Sequence, residues 1–93
     1  MVIGTLRVSA HIGGSHSLKE KRQVLRSLKD HVHNRFNVSI AEVEANDKWQ
    51  VAELGVAVVS NDTQHALSVL REVESFVRRF PGIEGCSVET EVL

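Results

Sequence analysis

The apolar residues of this chain switch from a period of two to a period near 3.6 and back, twice over, and few folds accept that rhythm. Val2, Leu6, Val8, Ala10 and Ile12 share one parity, with Thr5, Arg7, Ser9 and His11 on the other, which predicts a half-buried strand. Gly13-Gly14-Ser15-His16 interrupts it. Leu18, Leu25, Leu28 and Val32, with Val24 alongside, then follow helical spacing and predict a helix to about Arg35. Val38 to Ala45 and Trp49 to Val59 read as strands joined by a hairpin turn at Asn46-Asp47. Ser60-Asn61-Asp62-Thr63 offers caps for a second helix, whose apolar positions run from Ala66 to Phe80. Pro81-Gly82 stops it, and Cys86 to Leu93 forms a last strand.

The order βαββαβ over residues 1–93 describes one α+β domain. A βαβ unit with parallel strands crosses over right-handed in nearly all cases. Two such units joined by a hairpin interleave as a four-stranded antiparallel sheet in the order 4-1-3-2, with both helices on one face. This is the ferredoxin-like split βαβ arrangement. The open face is expected to be polar, as Thr5, Arg7, Ser9, His11, Glu89 and Glu91 suggest. The third strand departs from that rule. Ala52, Leu54, Val56 and Val58 take one parity, while Trp49, Val51, Ala57 and Val59 take the other. A strand apolar on both sides is normally covered on both, so these last four are read as a self-association surface, with a homodimer favoured.

The net charge of −1 hides an asymmetry. Ser15 to Phe36 holds six basic residues against two acidic ones, a balance of +4, and the remainder carries −5. Coating of nucleic acid by the whole surface is thereby excluded, whereas one basic face on one defined partner is admitted. Its candidate contacts are Lys19, Lys21, Arg22, Arg26, Lys29 and Arg35. Gly13, Gly14, Ser15, His16 and Ser17 form a candidate anion turn. Ser17 and Glu20 fit a capping box, and a helix N-terminus presents free N–H donors. No Walker or G-x-G-x-x-G pattern accompanies the turn.

Catalysis finds little support in these residues. Cys86 shares its parity with Val88 and Val92, as a packed thiol does. His31 and His33 diverge by about 200° on a helix. His11 and His16 bracket the glycine turn without further ligand spacing, so no metal and no cofactor are expected. Glu42 and Glu44 share a strand face and read as edge protection. Gly82-Ile83-Glu84-Gly85 matches a GXXG string, but Glu84 is the wrong charge for clamping phosphates. Base stacking on the sheet needs aromatics on the central strands, where only Trp49 stands; Phe36, Phe76 and Phe80 are read as core. The single cysteine suits a reducing, cytoplasmic setting. No apolar run approaches the ~20 residues of a membrane span, and the first residues lack a signal-peptide pattern.

Three blocks carry a resemblance: Ser-Leu-Lys-Glu-Lys-Arg (17–22), Asn-Val-Ser-Ile-Ala-Glu-Val (37–43), and Trp-Gln-Val-Ala-Glu-Leu-Gly-Val-Ala-Val-Val-Ser (49–60) with the Asn-Asp that follows. Together they resemble the YlxP-like family of bacterial proteins of unknown function, over essentially the whole chain. The resemblance implies a ferredoxin-like fold and no catalytic residues. Members are often encoded among translation-initiation and ribosome-maturation genes, which implies a link to the small ribosomal subunit. The expected function is a small non-enzymatic accessory protein whose basic helix contacts ribosomal RNA phosphates or an acidic ribosome-associated protein. The alternative, from the two-sided third strand, is a dimeric regulatory module with a small ligand at the subunit interface.

Overall fold

The computed structural model describes residues Met1–Leu93. Six elements follow in the expected order: β1 (Val2–His11), α1 (Leu18–Arg35), β2 (Ser39–Glu44), β3 (Val51–Ser60), α2 (Thr63–Arg78) and β4 (Gly85–Val92). The strands form one antiparallel sheet in the order β2-β3-β1-β4, the expected order read from the other edge. Parity sorts the side chains as the sequence requires. Leu6, Val8, Ala10, Ile12, Ala52, Leu54, Val56 and Val58 are buried against the helices. Leu25, Leu28 and Val32 of α1 and Ala66, Leu70, Val73 and Val77 of α2 close the core from above. α2 lies over β1, β3 and β4, whereas α1 covers β2 and touches α2. Gly4 allows the α2 approach: a Cβ there would stand 3.0 Å from Leu70 Cδ1 and 3.3 Å from Val58 Cγ1.

Local chemistry explains where the helices start and stop. Ser17 Oγ accepts the Glu20 N–H at 3.1 Å, and Asp62 Oδ2 accepts the His65 N–H at 3.2 Å. Each satisfies one of the free donors of a first helical turn. The capping box closes one residue early, because the Glu20 carboxylate accepts the N–H of His16 rather than that of Ser17. At the far end of α2, Gly82 adopts φ +97°, a left-handed conformation that favours glycine. Its bare Cα also leaves room for Val24 of α1.

The hairpin differs from expectation. β2 spans Ser39–Glu44 and β3 begins at Val51, so Trp49 and Gln50 precede the strand. Glu42 pairs with Leu54 but Glu44 pairs with Glu53, so Val43 is the extra residue of a β-bulge. The bulge reverses parity within two residues. Glu42 therefore points to the helix side and Glu44 to the open face; they do not share a face as their spacing suggests. Ala45 then takes φ 60°, and its carbonyl accepts the Lys48 N–H at 3.1 Å to close the turn.

Candidate nucleic-acid interface

One stripe of α1 faces away from the core. Lys19, Arg22, Arg26 and Lys29 are spaced by three or four residues and so stack along one side of the helix. Lys19, Arg22 and Arg26 are exposed and Lys29 is half-buried. None of the four forms an ion pair. Lys19, Arg22, Gln23, Arg26, Ser27 and Asp30 fence a shallow cleft of about 460 Å³. Asp30, the acid of this cleft, is also unpaired. Unpaired cations on an exposed helix side are the arrangement that attracts phosphates without reading sequence.

Lys21 does not belong to that stripe. It is 1% exposed, and its ammonium lies 2.8 Å from Glu42 Oε2 and donates to the Ala45 carbonyl at 2.6 Å. The physical reason is helical phase: residues 21, 25, 28 and 32 lie on the face that α1 turns to the sheet. Its spacing from Leu25 was the signal, masked by its charge. The bulge that turns Glu42 inward supplies the counter-ion, which makes a buried ammonium tolerable.

The glycine turn is likewise already satisfied from within. Ser15 is buried, its N–H donates to Ile12 O at 3.2 Å and its hydroxyl donates to Ser17 O at 2.9 Å. The His16 N–H is held by Glu20, and the Glu84 carboxylate lies over Gly13, where a Cβ would meet it at 2.0 Å. The Gln50 side chain donates to Ser15 O at 3.3 Å and ties the turn to the base of β3. Of the turn Gly13, Gly14, Ser15, His16 and Ser17, His16 and Gly13 thus already face carboxylates of the protein itself, Glu20 and Glu84, while Gly14 is open to solvent. His11 Nε2 stands 3.8 Å from Glu84. No three His, Cys, Asp or Glu side chains converge with metal-holding geometry.

The open sheet face is divided. Its polar half centres on Arg7, whose guanidinium lies 3.2 Å from Glu44 and 3.3 Å from Glu53, while the Ser9 hydroxyl donates to the Glu53 carboxylate at 2.7 Å. The Glu44 carboxylate, followed by Glu53, holds Arg7 above its ordinary pKa. With two carboxylates bound, this arginine has little left for an outside anion. The other half is apolar. Ala41, Val43, Gly55 and Ala57 border a groove of about 380 Å³ whose remaining wall includes Thr5, Ser39 and Arg7 itself, and Val59 further along β3 is 66% exposed. Val51, Ala57 and Val59 face outward as expected, whereas Trp49, 54% exposed, lies ahead of the strand. The Cys86 thiol is half-buried against the core.

Residues 3–90 match the family described as a protein of unknown function, DUF503. The chain is also 39% identical over 90 residues to the uncharacterized protein YlxP of Bacillus subtilis (strain 168), covering 97% of this chain and 98% of that one. The chain belongs to the DUF503 family. Among solved structures it resembles the de novo designed protein Foldit4, with a TM-score of 0.56 and 11% identity over 99% of this chain and 94% of the other. It also resembles the de novo designed LFR1 1, which has a ferredoxin fold, with a TM-score of 0.57 and 12% identity over 99% and 84%. These likenesses show the ferredoxin-like fold of this DUF503 chain and nothing of its activity. No helix is long and apolar enough to cross a membrane.

Arg35 occupies a different corner of the DUF503 domain from the stripe. Sixteen residues of helix separate it from Lys19, about 24 Å at 1.5 Å per residue. Its guanidinium lies over the rings of Phe36 and Phe76, at 5.9 and 5.4 Å from their centroids. The three phenylalanines are half-buried at the ends of the two helices rather than enclosed in the core. Arg79, Phe80 and His31 complete this cluster, which their sequence separation conceals.

Proposed function

We propose that this DUF503 domain is a non-enzymatic accessory factor in translation or small ribosomal subunit maturation, docking on structured RNA through α1. The observation that carries the reading is the run of Lys19, Arg22, Arg26 and Lys29 on the outer side of α1 with no ion-pair partners. Arg7, Lys21 and Arg78 are engaged by carboxylates of their own chain, and the other unpaired cations, Arg35, Lys48, Arg71 and Arg79, lie off this stripe. The contacts are made to phosphates and shape, because the open sheet face offers no stack of rings on β1 and β3. Cosedimentation with small ribosomal subunits across a salt series tests this. Binding should weaken as salt rises. Substituting Lys19→Gln, Arg22→Gln and Arg26→Gln together should weaken it further and flatten the log–log salt slope by about 3, near one unit per lost phosphate contact. Unchanged binding by the triple variant at low salt would remove α1 from consideration.

A second reading rests on the apolar half of the open face. Ala41, Val43, Ala57 and Val59 there would pair two copies and enclose a small ligand between them, making the protein a regulatory module.

A further inference from the structure

At the end of the molecule away from the α1 start, two adjoining cavities share Arg35, Phe76 and Arg79 as walls. One, of about 360 Å³, adds Phe36, Glu72 and Ser75. The other, of about 340 Å³, adds His31, Phe80 and Pro81. The rings between them are held in place by one another. Phe36 meets Phe76 edge-on at 5.8 Å, Phe76 lies 5.9 Å from Phe80, and His31 meets Phe80 edge-on at 5.5 Å. His31 Nδ1 is 2.7 Å from the Ser27 carbonyl oxygen, which fixes that ring in turn. Neither guanidinium is engaged by a carboxylate: Arg35 lies over two rings, and Arg79 makes no side-chain bond at all.

We infer that this cleft binds one nucleotide, with the base in the Phe36–Glu72 cavity and its phosphate in the His31–Phe80 cavity. The assignment follows from the linings. A flat ring stacks on a guanidinium plane, and Arg35, held over Phe36 and Phe76, presents one at the wall of that cavity. Glu72 and Ser75 supply an acceptor and a hydroxyl for the edge of a base, and the Glu72 charge keeps a phosphate out of that cavity. The second cavity has no carboxylate in its wall and has Arg35 and Arg79 beside it, which suits a phosphate. Single-stranded RNA is the source of the nucleotide; that choice rests on the RNA-docking reading, whereas the cleft itself does not.

The test is an NMR titration with single-stranded tri-adenylate, with AMP, and with a base-free ribose-phosphate trimer. Signals of Arg35, Phe76 and Phe80 should move with the first two ligands. The exposed pair Arg35→Gln/Arg79→Gln should bind tri-adenylate about tenfold or more weakly, and so should Phe76→Leu, which keeps bulk but removes the ring. The base-free trimer should bind about tenfold more weakly than tri-adenylate. Tri-adenylate binding more tightly than AMP places the ligand in RNA, and equal affinity makes a free nucleotide the ligand of the same site. Wild-type affinity in the double arginine variant, or equal binding of the base-free trimer, would overturn the proposal. The two readings separate on AMP: it should move the Phe76 and Phe80 signals whatever the ribosomal binding of the Lys19→Gln/Arg22→Gln/Arg26→Gln variant proves to be.

Discussion

Lys21 stands where a helix packed on a sheet would ordinarily carry a leucine, and its fate depends on a single partner. Burial of an ammonium is costly unless its charge is balanced, and here Glu42 at 2.8 Å balances the charge while the Ala45 carbonyl accepts one N–H at 2.6 Å. Removing one partner strands the other, so Lys21→Met should lower unfolding stability by about 3 kcal/mol. Lys21→Met/Glu42→Leu should recover most of that loss, because a buried pair and an apolar pair of similar size differ little. Urea denaturation of the three proteins decides it, and equal stability of the single variant and wild type would refute the account. Ala45 is the other residue under constraint. A left-handed φ of 60° crowds its Cβ, so Ala45→Gly should raise stability by about 0.5–1 kcal/mol in the same measurement, despite the added freedom of the unfolded chain.

At the scale of elements, the helices were legible and the hairpin was only partly so. The bounds Leu18–Arg35 of α1 match the expected ones because cap, apolar stripe and terminus all lie within a few residues of one another in sequence. The β2–β3 register does not follow from local pattern. The extra residue at Val43 shifts the pairing, and a shift of one residue moves side chains to the opposite face. That is why Glu42 and Glu44, two apart, serve opposite sides of the sheet. The link between α2 and β4 is set by Gly82, which combines φ +97° with a Cβ position 3.0 Å from Val24 Cγ1. Gly82→Ala should therefore cost about 1–2 kcal/mol of stability from strain alone. A thermal midpoint equal to wild type would show that the turn relaxes without consequence.

For the whole molecule, the two faces of the fold have opposite characters. The helix side presents the unpaired cations of α1, whereas the open sheet face carries Glu44, Glu53, Glu89 and Glu91 beside an apolar strip. Two copies meeting at the apolar half would cover Val59 and Val43, side chains that are 66% and 48% exposed. Sedimentation equilibrium should then return a dimer for the native chain and a monomer for Val43→Lys/Val59→Glu. A monomer at every concentration of the native chain would eliminate the interfacial-ligand reading. Of the candidate interface, Lys19, Arg22, Arg26 and Lys29 were recoverable from spacing and charge, because a helix face is a local property. Lys21 and Arg35 were misplaced among them, since their surroundings come from β2 and α2.

Element order, sheet order and the faces that β1, β3 and β4 bury were legible in the chain, because periodicity, caps and the handedness of crossovers are short-range constraints. Tertiary structure alone decided which charges were free. Lys21 became an interior cation when the bulge delivered Glu42, the glycine turn became self-satisfied when Glu20 and Glu84 reached it, and Arg7 was neutralised across the sheet by Glu44 and Glu53. The cleft of Arg35, Phe36, Phe76, Arg79 and Phe80 likewise exists only once α1 and α2 end side by side. Each of these turns on a contact between residues far apart in the chain, where distance and burial set the electrostatic energy.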